Sequence, residues 1–460
     1  MELGAGSPMA GREAASRGGF DGRAAPASHA QTAVAAEIRP SGPSAPRRAQ
    51  IHPRELKDPR QRLRIAMVAA CPMPARRGTP LRVERLAQAL SARGHHVELI
   101  TYHIEDEPQP LGFPVHRIFP HPVYWRMPVG PSFRKLALYD PALAWKLSRV
   151  LTERRFDLIH AHHVEGLLAA LPSRWLRRLP LVYDAHTMLS AELPSYAHGL
   201  TRRAFGAVGG WLDGAIPRRA DHVVAVTSDI RDRLVWVHRL QADRISVVTN
   251  GVETECFRAD APPREDGVVR LIYTGTLAPY QNIDLLLAAF ARARQVRRDL
   301  RLCFSVSSSF EPYEARARQL GVRESIEVLA DRFGELPQRL AAAVIAVLPR
   351  VSCPGIPQKL LNYMAAGKAI VASAGSAKLL QHERTGLVVA DGDVQAFAGA
   401  MLRLAADPAL AQQLGRRARS TVEQEFSWRR AAQRMETAYA LLLATTRSAR
   451  DEARGRRGRA

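Results

Sequence analysis

Lysine is scarce in this 460-residue chain: only Lys57, Lys135, Lys146, Lys359, Lys368 and Lys378 stand against a background of arginine. Half of the six fall within residues 355–380, GIPQKLLNYMAAGKAIVASAGSAKLL. Cysteine is scarce too. Cys71, Cys256, Cys303 and Cys353 are scattered, which suits neither a disulfide framework nor a zinc cluster and fits a reducing cytoplasm. No apolar run approaches the roughly 18–20 residues of a membrane-crossing helix. The longest, LAAAVIAVLP at 340–349, reads as a buried strand. The first 50 residues lack the apolar block of a signal peptide. They are rich in Ala, Gly, Ser, Pro and Arg, so residues 1–60 read as a disordered basic tail.

What is present is positive charge, +22 in all, most of it between residues 61 and 446. A basic body fits phosphorylated substrates or an anionic membrane surface, or the solvated faces of an arginine-biased composition. No zinc finger, aromatic RNA-binding pattern or helix-turn-helix accompanies the charge, so nucleic acid is set aside as a partner.

From about residue 62 the chain alternates short apolar runs with amphipathic stretches. LRIAMVAA (63–70), HHVELITY (95–102), FDLIHAHH (156–163), LPLVYDAH (179–186) and ISVVTNGV (245–252) read as buried parallel strands. A stretch with two prolines and no periodicity follows at 254–267. A second strand–helix series then runs from VVRLIYTG (268–275) to a helix that Asp393 caps, and a last helix begins at 426. The organisation expected is an α/β protein of two doubly wound parallel-sheet, Rossmann-like domains facing a central cleft. Their spans are 61–253 and 268–425, with a linker at 254–267, a helix at 426–445 and a basic tail at 446–460. Ligands of such sheets bind beyond the carboxyl ends of the strands, so the cleft is the expected site.

Three strand-to-helix turns of the second half carry candidate anion-binding groups. The strand VIAVLPR delivers Arg350 into a loop, and Pro357 can open the helix QKLLNYMAA. Lys359 and Asn362 share one face of that helix. A helix N-terminus, a lysine and a strand-end arginine together favour a phosphate-bearing ligand. Ser376 is read as the N-cap of a helix over 374–380, and Gly275, ahead of Thr276 and Gln281, permits close backbone approach. In the first half, Gly78 of RRGTP could form a glycine loop on the cleft, and His186 sits at a strand end where a ring would meet substrate. HAHH (160–163) puts His160 and His162 on one face and His163 on the other, with no carboxylate spacing to complete a metal site. The loop 108–139, with Tyr124, Trp125 and Arg126, mixes aromatics and charge suited to lipid or acceptor, or to plain packing.

These segments resemble the GT-B glycosyltransferases, specifically the retaining nucleotide-sugar transferases of glycosyltransferase family 4. GIPQKLLNYMAAGKAIVAS with GLVVADGD resembles the donor-site signature; LAQALSARGHHVELIT, VVAVTSDI, VVTNGVETECF and YTGTLAPYQNIDLLLAAF support it in order and spacing. The resemblance spans roughly 62–445. It implies transfer from a nucleotide-diphosphate sugar to an envelope, exopolysaccharide or glycolipid acceptor, with retention, no cofactor and no metal. The acceptor would be a sugar or lipid-linked, and the location cytoplasmic, with the inner membrane face a candidate surface. Lys359, Arg350 and His186 would be catalytic; Gly78, Gly275, Thr276, Gln281, Pro357, Asn362 and Ser376 would line the donor site. The family's paired glutamates are replaced by Pro354 and Asn362, and its usual Arg and Lys by Thr276 and Gln281. Those departures leave a catalytically degenerate binding protein as the alternative.

Overall fold

The computed structural model describes residues 62–73, 78–103, 110–120, 135–196, 201–257, 267–353 and 355–457. The proposed tail at 1–60, Pro354 and Tyr124, Trp125 and Arg126 lie outside these residues.

Among the described residues thirteen strands form two sheets, every pairing within them parallel. The first sheet contains β1 (Arg64–Pro72), β2 (His96–Tyr102), β3 (Val115–Arg117), β4 (Leu158–His162), β5 (Leu181–Ala185), β6 (His222–Ala225) and β7 (Ile245–Val247) in the order β3-β2-β1-β4-β5-β6-β7. The second contains β8 (Val269–Gly275), β9 (Leu300–Val306), β10 (Ile326–Ala330), β11 (Ile345–Leu348), β12 (Ala369–Ser373) and β13 (Leu387–Val389) in the order β10-β9-β8-β11-β12-β13. Each order reverses once, between β1 and β4 and between β8 and β11. Those reversals open a crevice at the carboxyl ends of the central strands. The expected two-domain α/β architecture of GT-B type is therefore present.

Helices cover both faces of each sheet. The first half carries α1 (Gly78–Ala92), α2 (Asp140–Glu153), α3 (His163–Arg177), α4 (Leu189–Glu192), α5 (Thr201–Ala215) and α6 (Ser228–Trp236). The second carries α7 (Ile283–Val296), α8 (Glu311–Gln319), α9 (Leu336–Ala341), α10 (Gln358–Ala365), α11 (Val394–Ala406), α12 (Pro408–Glu425) and α13 (Trp428–Arg457). Asp393 caps α11 through its carboxylate, which accepts from the Ala396 N–H at 2.8 Å. Asp407 repeats the device on α12, with Pro408 opening the helix, and so separates two helices that the sequence pattern alone runs together.

The last helix is longer than expected and serves the first sheet. Ala432, Met435 and Tyr439 of α13 join Ile65, Met67 and Leu86 in one core cluster. Glu436 of the same helix accepts from Arg93 Nε at 2.7 Å. Gly78 does not form a glycine loop; it is the first residue of α1.

Candidate functional site

The strand β4, LIHAH, is buried throughout although two of its five residues are histidines. What permits this is a charged centre supplied by three other elements. Arg82 of α1 is 2 % exposed, and Asp184 of β5 is fully buried. Arg82 donates through Nε to Asp184 Oδ2 at 2.9 Å and through Nη2 to Oδ1 at 3.0 Å. Two further donors reach Val248 O at 2.9 Å and Asn250 Oδ1 at 3.0 Å. Such bidentate pairing, with four of the five guanidinium donors used, is the condition under which a buried ion pair is tolerated.

Histidine nitrogens crowd the same carboxylate. His162 Nδ1 lies 3.2 Å, His186 Nε2 3.4 Å and His160 Nε2 3.7 Å from Asp184 Oδ2. The rings of His160 and His162 stack at 4.2 Å, and His160 Nδ1 is 2.7 Å from the Tyr439 hydroxyl of α13. Burial alone would raise the Asp184 carboxyl; Arg82, His186 and the neighbouring imidazoles hold it well below the usual range. Burial pushes His186 down to about 4, against the attraction of Asp184, so its ring is neutral near pH 7.

The carboxylate that the HAHH motif lacks in sequence is thus brought in by β5: His160, His162 and Asp184 place their ligand atoms within 4.8 Å of one another. A cation there would have to share Asp184 with a guanidinium that already takes both of its oxygens. The arrangement is that of an arginine-neutralised network.

Beside it, His163 opens α3 in a left-handed conformation, φ 65°. Its Nδ1 is 2.7 Å from Glu165 Oε2. His186 Nδ1 meets Thr79 Oγ1, at the start of α1, at 3.1 Å.

The second sheet presents cations at its own reversal. Lys359, in the first turn of α10, turns its Nζ over the ring of Tyr273, 4.0 Å from the centroid. It donates to Tyr273 Oη at 2.9 Å and to Gln281 Oε1 at 3.2 Å. Gly275 closes β8 with φ 103°, and a Cβ there would stand 3.2 Å from that same Nζ. A side chain at 275 would push into the ammonium, so the glycine makes room for it. The guanidinium of Arg350, just past β11, lies 4.7 Å above the Tyr280 ring and donates to Ser352 O. Burial, with Arg350 as second cause, pushes Lys359 down to about 7. Two cations therefore converge where β8 and β11 part, with few acids near them.

The two halves meet around these loops. A Cβ on Gly355 would come within 2.9 Å of Thr227 Cγ2, at the cap of α6. Gln358 Nε2 donates to Gly251 O at 3.2 Å, and Lys378 Nζ lies 3.5 Å from Asp229 Oδ2.

Two family models match the chain on either side of residues 257–268: Glycosyltransferase Family 4 over residues 77–256 and Glycosyl transferases group 1 over residues 269–407. The chain is a glycosyltransferase of the family 4 and group 1 type. A D-inositol 3-phosphate glycosyltransferase of Kribbella flavida is 29 % identical over 310 residues, covering 62 % of this chain and 71 % of that protein. Two solved structures share the fold. Sucrose-phosphate synthase of Thermosynechococcus elongatus is 21 % identical, with TM-score 0.67, over 84 % of this chain and 100 % of its own. Anabaena HepE, solved with UDP-glucose, is 18 % identical, with TM-score 0.59, over 84 % and 100 %.

Within this glycosyltransferase the candidate residues divide. Lys359, Arg350, Gly275 and Gln281 come together as described, and Thr276 is exposed beside them, its carbonyl accepting from Tyr273 Oη at 2.7 Å. Pro357 is the residue before α10, not its first; its carbonyl accepts from Leu360 N at 2.9 Å. Asn362 lies half-buried one turn after Lys359.

Ser376 differs from expectation. Residues Ala374–Ser376 form a single 3-10 turn, and Ser376 ends it, donating to Ser373 O at 3.2 Å. The N–H that a ligand anion would seek, that of Gly375, is already bonded to Asp391 Oδ1 at 3.0 Å. The packing there admits only glycine: a Cβ on Gly375 would stand 1.8 Å from Val351 O. The turn after β8 does lead to a helix N-terminus: a 3-10 turn, Pro279–Gln281, precedes α7, which begins at Ile283 after Asn282 at φ 58°.

His186 lies at the expected strand end, but both of its ring nitrogens face protein groups. Arg82, Asp184 and Tyr273 were missing from the sequence reading. The Asp in VYDAH was the available signal: a carboxylate in an otherwise apolar parallel strand needs a buried partner.

Proposed function

We propose that this glycosyltransferase moves a sugar from a nucleotide-diphosphate donor to an envelope, exopolysaccharide or glycolipid acceptor, with retention and without a metal ion. The observation that carries the reading is the convergence of Lys359 and Arg350 at the reversal between β8 and β11. As the bond from sugar C1 to the diphosphate oxygen breaks, negative charge grows on the departing group. Lys359 Nζ, held by Tyr273 and Gln281, and the Arg350 guanidinium, stacked on Tyr280, are positioned in advance to stabilise it. Gly275, Thr276, Pro357 and Asn362 would line the nucleotide, with Asn362 hydrogen-bonding a ribose hydroxyl. Gln281 would act by holding Lys359, and Ser376 by fixing the turn behind the site. His186 would position Thr79 and the start of α1, Gly78 included, at the acceptor side. The anionic group to be bound is supplied by the donor, so no cofactor is needed. The location that suits such acceptors is the cytoplasmic face of the inner membrane; among the described residues no helix is long and apolar enough to cross one.

The test is thermal unfolding against a panel of nucleotides and nucleotide sugars. Selective stabilisation by one base is expected, about 2.7 kcal/mol at a hundredfold excess over Kd. No stabilisation by any of them would overturn the proposal, and binding without transfer would identify a degenerate binder.

A pH dependence follows from Lys359. In the free protein its ammonium titrates at about 7. Below that pH it is charged and ready for a diphosphate; above it, binding must take up a proton. Donor affinity is therefore expected to weaken by up to about tenfold per pH unit between 7 and 9. Calorimetry in buffers of different ionisation heat would register the proton uptake, and Lys359→Arg would flatten the profile.

A further inference from the structure

Four of the chain's six tryptophans are far more exposed than tryptophan in a folded protein normally is. Two of them mark one end of the first sheet. Trp175, 60 % exposed, and Leu176, 71 % exposed, stand at the end of α3; Trp236, 71 %, and Val237, 63 %, stand at the end of α6. Because α3 leads into β5 and α6 into β7, these side chains lie at the amino ends of the strands, away from the cleft.

Arginines surround them. A pocket of about 310 Å3 beside Trp175 is lined by Arg174 and Arg178, by Pro180 ahead of β5, and by Thr446 of α13. A second pocket of about 280 Å3 is lined by Arg218, Arg239 and Arg244, with no acidic residue on its wall. The pockets adjoin through one short stretch of backbone. Arg174 donates to Arg219 O at 3.1 Å and pairs with Asp221, while Arg244 donates to Ala220 O and, at 3.3 Å, to Asp221 O. Asp221 lines the first pocket, and Arg174 pairs with it. Beyond Thr446 the helix α13 continues to Arg457 through the basic sequence RSARDEARGRR.

We propose that this end of the seven-stranded sheet docks on an anionic lipid surface, the two arginine pockets receiving phosphate head groups while Trp175, Leu176, Trp236 and Val237 enter the interface. Tryptophan beside arginine suits that boundary: the indole is apolar in body and polar at one edge, and each nearby cation adds attraction to anionic lipid. A nucleic-acid surface would not need four large apolar groups standing out beside the pockets. The docking places the cleft on the far side of the sheet. A five-residue strand such as β5 alone spans about 17 Å. An acceptor anchored in the same membrane would then present an extended saccharide, not the sugar nearest its lipid.

The surface gives the membrane location proposed above a physical element, and its test needs neither donor nor acceptor, so the two readings fail separately. The full-length protein is floated with neutral phosphatidylcholine vesicles and with vesicles that also contain phosphatidylglycerol. Flotation is expected with the anionic vesicles only. The double variant Trp236→Ser, Arg239→Glu, both at exposed positions, should weaken it by about tenfold or more with an unchanged melting temperature. Trp145→Ser, at another exposed tryptophan, on α2, should leave it unchanged. Equal flotation on neutral vesicles, no effect of the double variant, or an equal effect of Trp145→Ser would overturn the proposal. So would displacement from vesicles by millimolar inorganic phosphate, which would mark a free-phosphate site, or tighter salt-sensitive binding to arbitrary duplex DNA.

Discussion

Replacing Lys359 with alanine is expected to lower donor turnover by about two to three orders of magnitude, the loss typical when one preorganised donor to a developing anion is removed. The geometry makes the residue hard to replace. Its Nζ is already directed by Tyr273 Oη and Gln281 Oε1, so little rearrangement is needed when the leaving group becomes charged. It also stands close enough to Gly275 that a bulkier guanidinium would crowd the backbone. Lys359→Arg should therefore recover only part of the rate. Lys368 provides the contrast within the same stretch. Its Nζ is buried and donates to Ala343 O at 2.9 Å, behind α10 and away from the cations. Lys368→Met should leave kcat unchanged while Lys359→Ala does not; equal kcat for the wild type and Lys359→Ala would remove Lys359 from the proposed mechanism.

Asp184→Asn is expected to produce the largest loss of stability available from a single polar substitution in the first sheet. It leaves Arg82 buried without its counter-charge, a change that costs about 3–5 kcal/mol. The three imidazoles around the carboxylate lose a neighbouring negative charge as well. Denaturant unfolding of the variant, followed with the wild type, measures the loss directly. Lys378→Ala, which opens a solvent-exposed pair between the two halves, should cost under about 1 kcal/mol. Comparable losses for the two would show that the buried network contributes no more than a surface contact.

How much of this was legible in the sequence depends on how far each feature reaches. Apolar runs between polar turns mark the strands locally, and strand ends mark where a ligand can lie; Lys359 and Arg350 follow from those alone. The α5 helix, with four glycines among fifteen residues, carries little helix propensity of its own and no expectation falls on it. It forms because tertiary contacts decide: the Asp213 carboxylate accepts from Leu189 N at 2.8 Å and Ser190 N at 2.9 Å, tying it to α4. The Arg82–Asp184 pair joins positions 102 apart. No local pattern contains it; only the presence of one unpaired carboxylate in a buried strand calls for some partner. Ser376 fails for the opposite reason. The capping residue is there, but Val351 and Asp391, from other strands' loops, occupy the turn at Gly375.

The helix α13 has a consequence for how the chain is made. One face of the first sheet, built around Ile65, Met67 and Leu86, is completed by Met435 and Tyr439 from the other end of the sequence. On the ribosome, the strands through β7 emerge well before those residues are synthesised. At ordinary elongation rates the gap lasts roughly ten to forty seconds, during which an apolar sheet face has no cover. His160 waits equally long for the Tyr439 hydroxyl. The first domain is thus the earliest to be translated and among the last to be finished, which makes its nascent form a client for holding chaperones and makes loss of the final helix a folding defect of the opposite end.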